Sequence, residues 1–239
     1  MHTRFLLERF RDCGSKEAII WKGESYSYAR LLESIEECRS LLDRYRVQAG
    51  SVVVLEGDFT PGTLAFMFAL IDRECLIVPL TSGMDSRKEE IYEIAQAQLV
   101  LAMDAEDRVS VSSFPTRTSH ELLISLQERE HPGLILFSSG STGKSKATVH
   151  DFTVMLKKFA TDRVRAGKRI MGFLFFDHIG GINTVLNALS SGGCIVALED
   201  RSPDRVCAAI ARHKVQVLPA SPTFLNLLLL SEAYRRHDL

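Results

Sequence analysis

The sequence predicts an α/β fold, with alternating strands and helices forming mostly parallel sheets. Two observations carry this. Short apolar runs recur along the chain, among them "VVVL" (52–55), "CLIVPL" (75–80), "LILF" (134–137) and "CIVAL" (194–198), the pattern of strands buried on both faces. Between them lie amphipathic segments of helical period, and strand–helix alternation favours parallel sheets with helices packed on their faces. No repeat, low-complexity stretch or clear linker divides the 239 residues, enough for one large or two modest domains.

The elements follow in order. After a short N-terminal helix, "EAIIWKGESYSY" reads as a hairpin turning at Lys22-Gly23. Ser27 then caps a helix whose apolar residues Leu31, Ile35, Cys38, Leu42 and Tyr45 share one face. "SVVVLEG" is a strand, and Thr60-Pro61 opens a helix with proline where its missing N–H costs nothing. "CLIVPL" is a strand, "SRKEEIYEIAQ" a helix, "AQLVLAM" a strand and "SHELLISLQER" a helix capped by Ser119. "GLILFSS" is the next strand, "ATVHD" reads as extended, and "FTVMLKKFATDRV" is a helix. "RIMGFLFF" (strand), "INTVLNALS" (helix) and "GCIVALE" (strand) follow. "PDRVCAAIARH" is a helix with Ser202 as cap, "VQVLPA" a strand, and "PTFLNLLLL" a helix opened by Ser221 and Pro222.

Bulk properties exclude several classes. A formal net charge of -1 offers no basic excess for nucleic acid or a membrane surface. The longest apolar run, "LAFMFALI", is too short to span a bilayer, and "MHTRFLLERFRDCG" lacks the apolar block of a signal peptide. Cys13, Cys38, Cys75, Cys194 and Cys207 are odd in number and form no CxxC pair. They read as reduced thiols of a cytoplasmic protein. No histidine or cysteine spacing supports a metal centre, and no GxSxG marks a nucleophile elbow. Oligomeric state is not readable.

The loop after "GLILFSS" is the leading site candidate, because ligands of open parallel sheets collect beyond the carboxyl ends of strands. Gly143-Lys144-Ser145 ends it like a Walker A motif. A Walker loop needs glycine where this sequence has Ser138, and it feeds a helix, whereas "SKATVHD" reads as extended. A P-loop kinase therefore fails at Ser138 unless residues 144–150 prove helical. The stretch is better described as hydroxyls (Ser138, Ser139, Ser141, Thr142) interleaved with Gly140 and Gly143, then Lys146. Glycines let backbone approach an anion, hydroxyls donate to phosphate oxygens, and Lys146 adds a full charge. A solvated Ser/Gly turn without ligand is the bland alternative.

"LILFSSGSTGKSKATVH" closely resembles the phosphate-binding signature of the adenylate-forming superfamily, which includes acyl-CoA synthetases and peptide-synthetase adenylation domains. Ser145 stands where proline is common and Ala147 where glycine is common. Lys144 falls at the variable position. "SYSYARLLESIEECRSLL" and "VVVLEGDFTPGTLAFMFALIDRECLIVPL" resemble the superfamily's first helix and the strand-helix-strand after it. "FLFFDHIGGINTVLNALSSGGCIVALE" resembles a second, substrate-side motif, in which His178 takes a position near the reacting groups with Gly180 and Gly181 after it. An imidazole suits that place, since it can donate to developing phosphate charge; a lone histidine is more often structural. Asp177 either holds a metal, orients His178, or serves as a cap or turn acceptor for the helix at 181–190, the last being the plainer reading. "VLPASPTFLNLLLL" resembles a segment lining the acyl pocket, with Ser221 and Thr223 as lining residues; a core strand and helix would need no ligand.

The resemblance implies a carboxylate–AMP ligase using ATP with Mg²⁺. A carboxylic acid attacks the α-phosphate, and many members then pass the acyl group to CoA or a carrier thiol. No segment matches the superfamily's Tyr-Gly-x-Thr-Glu stretch, its ribose-binding aspartate or its C-terminal lysine. The expectation is a partial N-terminal adenylation domain over 1–239, inactive alone. A non-catalytic scaffold that keeps the fold is the alternative, and the intact phosphate loop argues against it.

Overall fold

The computed structural model describes residues 2–81, 86–139, 145–160 and 167–239. The chain opens with α1 (Arg4–Cys13), and the hairpin β1 (Glu17–Trp21) and β2 (Glu24–Ser27). Lys22 and Gly23 at its turn have φ of 51° and 79°, the left-handed pair that a tight two-residue hairpin needs. Next come α2 (Tyr28–Arg44), β3 (Val52–Glu56), α3 (Pro61–Asp72), β4 (Leu76–Leu80), α4 (Lys88–Ala95), β5 (Leu99–Met103), β6 (Val109–Ser113) and α5 (Glu121–Glu128). The rest comprises β7 (Gly133–Ser139), β8 (Ser145–Asp151), α6 (Phe152–Ala160), β9 (Arg169–Gly172), α7 (Ile179–Ser190), β10 (Cys194–Ala197), α8 (Pro203–His213) and α9 (Pro222–Ser231).

The strands form two sheets, ordered β6-β5-β3-β4-β7-β8 and β2-β1-β10-β9. Inner strands pair in parallel, while β6, β8 and β2 close the ends antiparallel. Alternate side chains point to opposite faces, so each strand feeds two cores. Val53, Leu55, Ile77, Leu101, Leu134 and Leu136 join one cluster; Val52, Val54, Val78, Val100, Ile135 and Phe137 join another with α4 and α5. The first cluster also takes residues of α1, α2, α3, α6, α7 and the second sheet's Ile19, Ile170 and Ile195. Those helices thus form a layer shared by both sheets. Helix α3 shows why it sits there: Leu64 through Ile71 are all buried, and a helix apolar on every side belongs inside. Ile20, Met171 and Val196 face outward onto α8 and α9.

Several expectations change. His120, not Ser119, caps α5, accepting from Leu122 N, because Ser119 is held by Gln96 through both its N–H and its hydroxyl. Ser202 precedes α8 without a side-chain cap bond; its hydroxyl turns back to Asp200. The strand expected over 169–176 stops at Gly172, and "VQVLPA" contributes only a bridge between Ile170 and Val217. Tyr45 lies beyond α2 and is about half exposed. Strand β6 adds a sixth member to the larger sheet beyond those the sequence pattern predicts. No described helix is long and apolar enough to cross a membrane.

Candidate functional site

The strand that carries the loop, β7, runs parallel to β4, and both end at the same edge of the sheet. There a cavity of about 180 Å³ is lined by Pro79, Leu80, Arg87, Phe137, Ser138, Asp177 and His178. Two segments singled out in the sequence, the hydroxyl-glycine loop and the "FFDHIGG" turn, therefore meet through Ser138 and His178. The place is the one where open parallel sheets hold ligands.

On the loop side, Gly140, Ser141, Thr142 and Gly143 lie outside the described residues, as does the side chain of Ser139. Its two ends are defined. Ser138 is exposed and stands opposite Lys146 on the antiparallel β7–β8 ladder. Directly opposed residues project to the same face, so the lysine rises on the side where the hydroxyl lies. At the return, Ser145 donates from both N and Oγ to the two carboxylate oxygens of Glu90 on α4, each at 3.1 Å. Residues 145–151 are a strand, so the lysine at 144 does not precede a helix as a Walker lysine does.

On the turn side, β9 ends at Gly172 and the chain bends through 173–178 into α7. His178 is the N-cap of α7 but makes no side-chain cap bond, leaving its ring 61% exposed. The backbone N–H of His178 donates to the carbonyl of Phe175 at 3.1 Å. Asp177 is not the cap. Its Oδ2 accepts from Thr81 Oγ1 at 2.7 Å, while its buried Oδ1 has no hydrogen-bond partner among the described residues. The imidazole Nε2 of His178 is 3.8 Å from that oxygen, too far for a hydrogen bond. A buried acceptor without a donor is costly, which makes Oδ1 a point where a donor would be stabilising.

The glycines serve the bend. A Cβ on Gly181 would sit 2.1 Å from the carbonyl oxygen of Phe175, so only glycine fits under the turn. Gly180 faces Leu174 and lines a neighbouring hollow with Asn183 and Thr184 rather than the cavity of His178. Ser221 caps α9 by accepting from Phe224 N at 3.2 Å, and Thr223 is exposed on the first turn of that helix. Neither lines the cavity that holds Ser138 and His178.

Two residues of the site carry no motif signal, Arg87 and Thr81. Arg87 lines the cavity, and Thr81 holds Asp177 from just past the end of β4. Arg87, His178 and Ser138 bring potential donors to the cavity, with Lys146 opposite Ser138 on the ladder, chemistry suited to a polyanion such as a nucleotide phosphate chain. Among the described residues, no group of three or more His, Cys, Asp or Glu could hold a metal ion.

Comparison with known proteins bears on the fold and the family. The N-terminal subdomain of Klebsiella oxytoca NpsA, solved with 3-hydroxyanthranilyl-AMSN, superposes with a TM-score of 0.76 at 19% identity, over 95% of this chain and 61% of that one. The N-terminal domain of FACL13 from Mycobacterium tuberculosis gives 0.78 at 15% identity, over 99% and 67%. The fold is thus that of the N-terminal subdomains of adenylate-forming enzymes. Among curated relatives, the anguibactin system regulator of Vibrio anguillarum is 25% identical over 96% of this chain and 23% of its own length. The 4-chlorobenzoate–CoA ligase of a Pseudomonas species is 25% identical over 92% of this chain and 42% of its own. The chain therefore spans less than half the length of either. The family described as AMP-binding enzyme matches residues 7–239, and the chain belongs to it.

Proposed function

We propose that the chain is the phosphate-gripping part of an ATP-dependent carboxylate–AMP ligase. The meeting of Ser138 and His178 in one cavity, with Arg87 beside them, is the observation that carries this reading. Ser138, Ser139, Gly140, Ser141, Thr142, Gly143 and Lys146 hold the β- and γ-phosphates, leaving the α-phosphate open. The carboxylate of the acid attacks there, forming the acyl–adenylate bond as the bond to pyrophosphate breaks. His178 donates toward the charge that develops at that centre, and preorganised donors are worth most where water is excluded. Mg²⁺ bound with the nucleotide would neutralise charge on its phosphates. Gly180 and Gly181 shape the acyl side by letting the turn close on α7, and Ser221 and Thr223 border it from α9. The thiol of CoA or of a carrier then attacks the acyl carbon, forming the thioester as the bond to AMP breaks and AMP leaves.

The 239 residues supply the pyrophosphate side only, so they are incompetent alone: nothing in them matches the Tyr-Gly-x-Thr-Glu stretch that grips adenine. Pyrophosphate exchange across a panel of carboxylic acids tests both halves. The expected result is none with the 239 residues and acid-dependent exchange when the chain is extended to the length of its relatives. Robust exchange by the 239 residues overturns the claim of incompetence. A stable protein complex with no nucleotide affinity in the extended chain would move the reading to a scaffold.

A further inference from the structure

The turn that carries His178 is anchored unevenly. Phe173 and Phe176 are buried, and Phe176 meets Phe59 edge-on at 6.0 Å, so the core fixes that half. Phe175 and His178 project outward, with Phe175 48% exposed. Packing alone does not set their orientation. Arg201, from the loop between β10 and α8, reaches this outer half. Its Nε donates to the carbonyl of Phe173 at 2.8 Å, and its guanidinium lies 4.8 Å from the Phe175 ring centroid. That ring in turn lies 6.2 Å from the imidazole of His178. Arg201 is itself held from the other sheet: Nη2 donates to both carboxylate oxygens of Asp58, at 3.0 and 2.7 Å, just past the end of β3.

We propose that Arg201 is a positioning residue, which with Asp58 fixes the outer half of the 173–178 turn and so the direction in which His178 meets the cavity. It rests on the reading of His178 as a group at the reacting centre. Only a planar fork can serve a carbonyl, a carboxylate and an aromatic face together; a lysine ammonium cannot. The clamp also ties the second sheet's turn to the first sheet's β3, so the two halves of the site are held in one frame.

The test reads His178 directly, by ¹H–¹³C NMR of the histidine rings, with the signal assigned through His178→Gln. Arg201→Gln, Arg201→Lys and Asp58→Asn should each shift the His178 ring signal. Arg39→Gln, which breaks the distant Arg39–Asp72 pair, should not. An unmoved His178 signal in folded Arg201→Gln, or an equal shift in Arg39→Gln, overturns the proposal. Should Arg201→Gln fail to fold, the isosteric Asp58→Asn probes the same clamp from its other end, and an unmoved signal there overturns the proposal equally. ATP with Mg²⁺ supplies the second arm, since misorienting His178 should weaken binding or exchange on the order of tenfold in the extended chain. If that chain binds no ATP while the His178 signal still moves, the clamp stands and the ligase reading falls.

Discussion

Ser138 and Lys146 face each other across the β7–β8 ladder, which puts a hydroxyl and an ammonium on one side of the hairpin that the glycine-rich loop connects. Under the proposed phosphate-gripping role, this pairing favours Lys146 over the lysine of the Gly-Lys-Ser spelling. Lys144 lies outside the described residues, whereas Lys146 is fixed by backbone pairing. Lys146→Ala should weaken ATP binding by roughly 10- to 100-fold, the worth of a charge-assisted bond of about 1.5–3 kcal/mol. Lys144→Ala should change it little. Calorimetric titration of ATP into both variants checks the contrast, and equal losses would show that the ladder does not select the lysine.

The return of the loop depends on Glu90. Ser145 makes two bonds to that carboxylate, one from its backbone N–H. Proline, common here in related sequences, has no N–H to give. The departure from the usual pattern is thus tied to a local partner. Ser145→Pro should lose both bonds and cost about 1–3 kcal/mol, because Glu90 sits partly buried against the loop. Ser145→Ala, which keeps the N–H, should cost about 1 kcal/mol. Urea unfolding of the two variants orders these losses; a Pro variant as stable as the parent would rule the anchor out.

Much of the scaffold is readable from sequence because its signals are local. Ser27, Thr60 and Ser221 cap the helices they precede, each accepting from the third residue on. The hairpin at Lys22-Gly23 follows from a glycine in the left-handed region. Features that depend on partners are not readable. Strand β6, "VSVSS", is polar and half-exposed, and owes its extended form to pairing with β5. "VQVLPA" has the right composition but mates with β9 at a single bridge. Ser119 would be the natural cap, but Gln96, 23 residues away, claims its hydroxyl. The site divides the same way. Ser138, Lys146 and His178 carry motif signals, whereas Arg87, at the start of α4, lines the cavity and Thr81, just past β4, bonds to Asp177 only through the fold. Thr81 and Asp177 are 96 residues apart, and no spacing rule joins them.

That long-range bond makes its own prediction. Asp177 is buried with Oδ1 unpartnered among the described residues, so the Thr81 hydroxyl is the donor that stabilises the carboxylate. Thr81→Val, close in shape, strips that donor and should destabilise by about 1–3 kcal/mol. Asp177→Asn removes the buried charge and lets the side chain accept from Thr81 through its carbonyl oxygen. It should unfold at no lower denaturant concentration than the parent. The double variant should recover much of the Thr81→Val loss, since both unmatched groups are then weaker. Four unfolding curves complete the cycle, and additive losses would show that the two residues act independently.

The cysteines give a prediction in the alkaline range. All five are buried free thiols, and burial pushes Cys38, Cys75 and Cys194 up to about 12 from an ordinary 9.0. Between pH 9 and 12 the unfolded chain releases protons that the folded chain keeps, so ionisation favours the unfolded state. The stability these thiols contribute is fully present below pH 9 and is lost as pH rises toward 12. Tyr28, whose hydroxyl is raised by the same burial and bonds to the carbonyl of Gly193 at 2.6 Å, adds to the loss above its ordinary value of 10.0. Stability measured from about pH 8 to 11 should therefore fall with a slope that Cys75→Ala reduces by about one proton's worth, ~1.4 kcal/mol per pH unit at most. Thiol reagents at about pH 8, just below the ordinary thiol range, should modify the folded chain slowly and the urea-unfolded chain at once. A parent whose stability is flat across that range, or whose thiols react as fast folded as unfolded, would mean that these three cysteines are not sealed in the core.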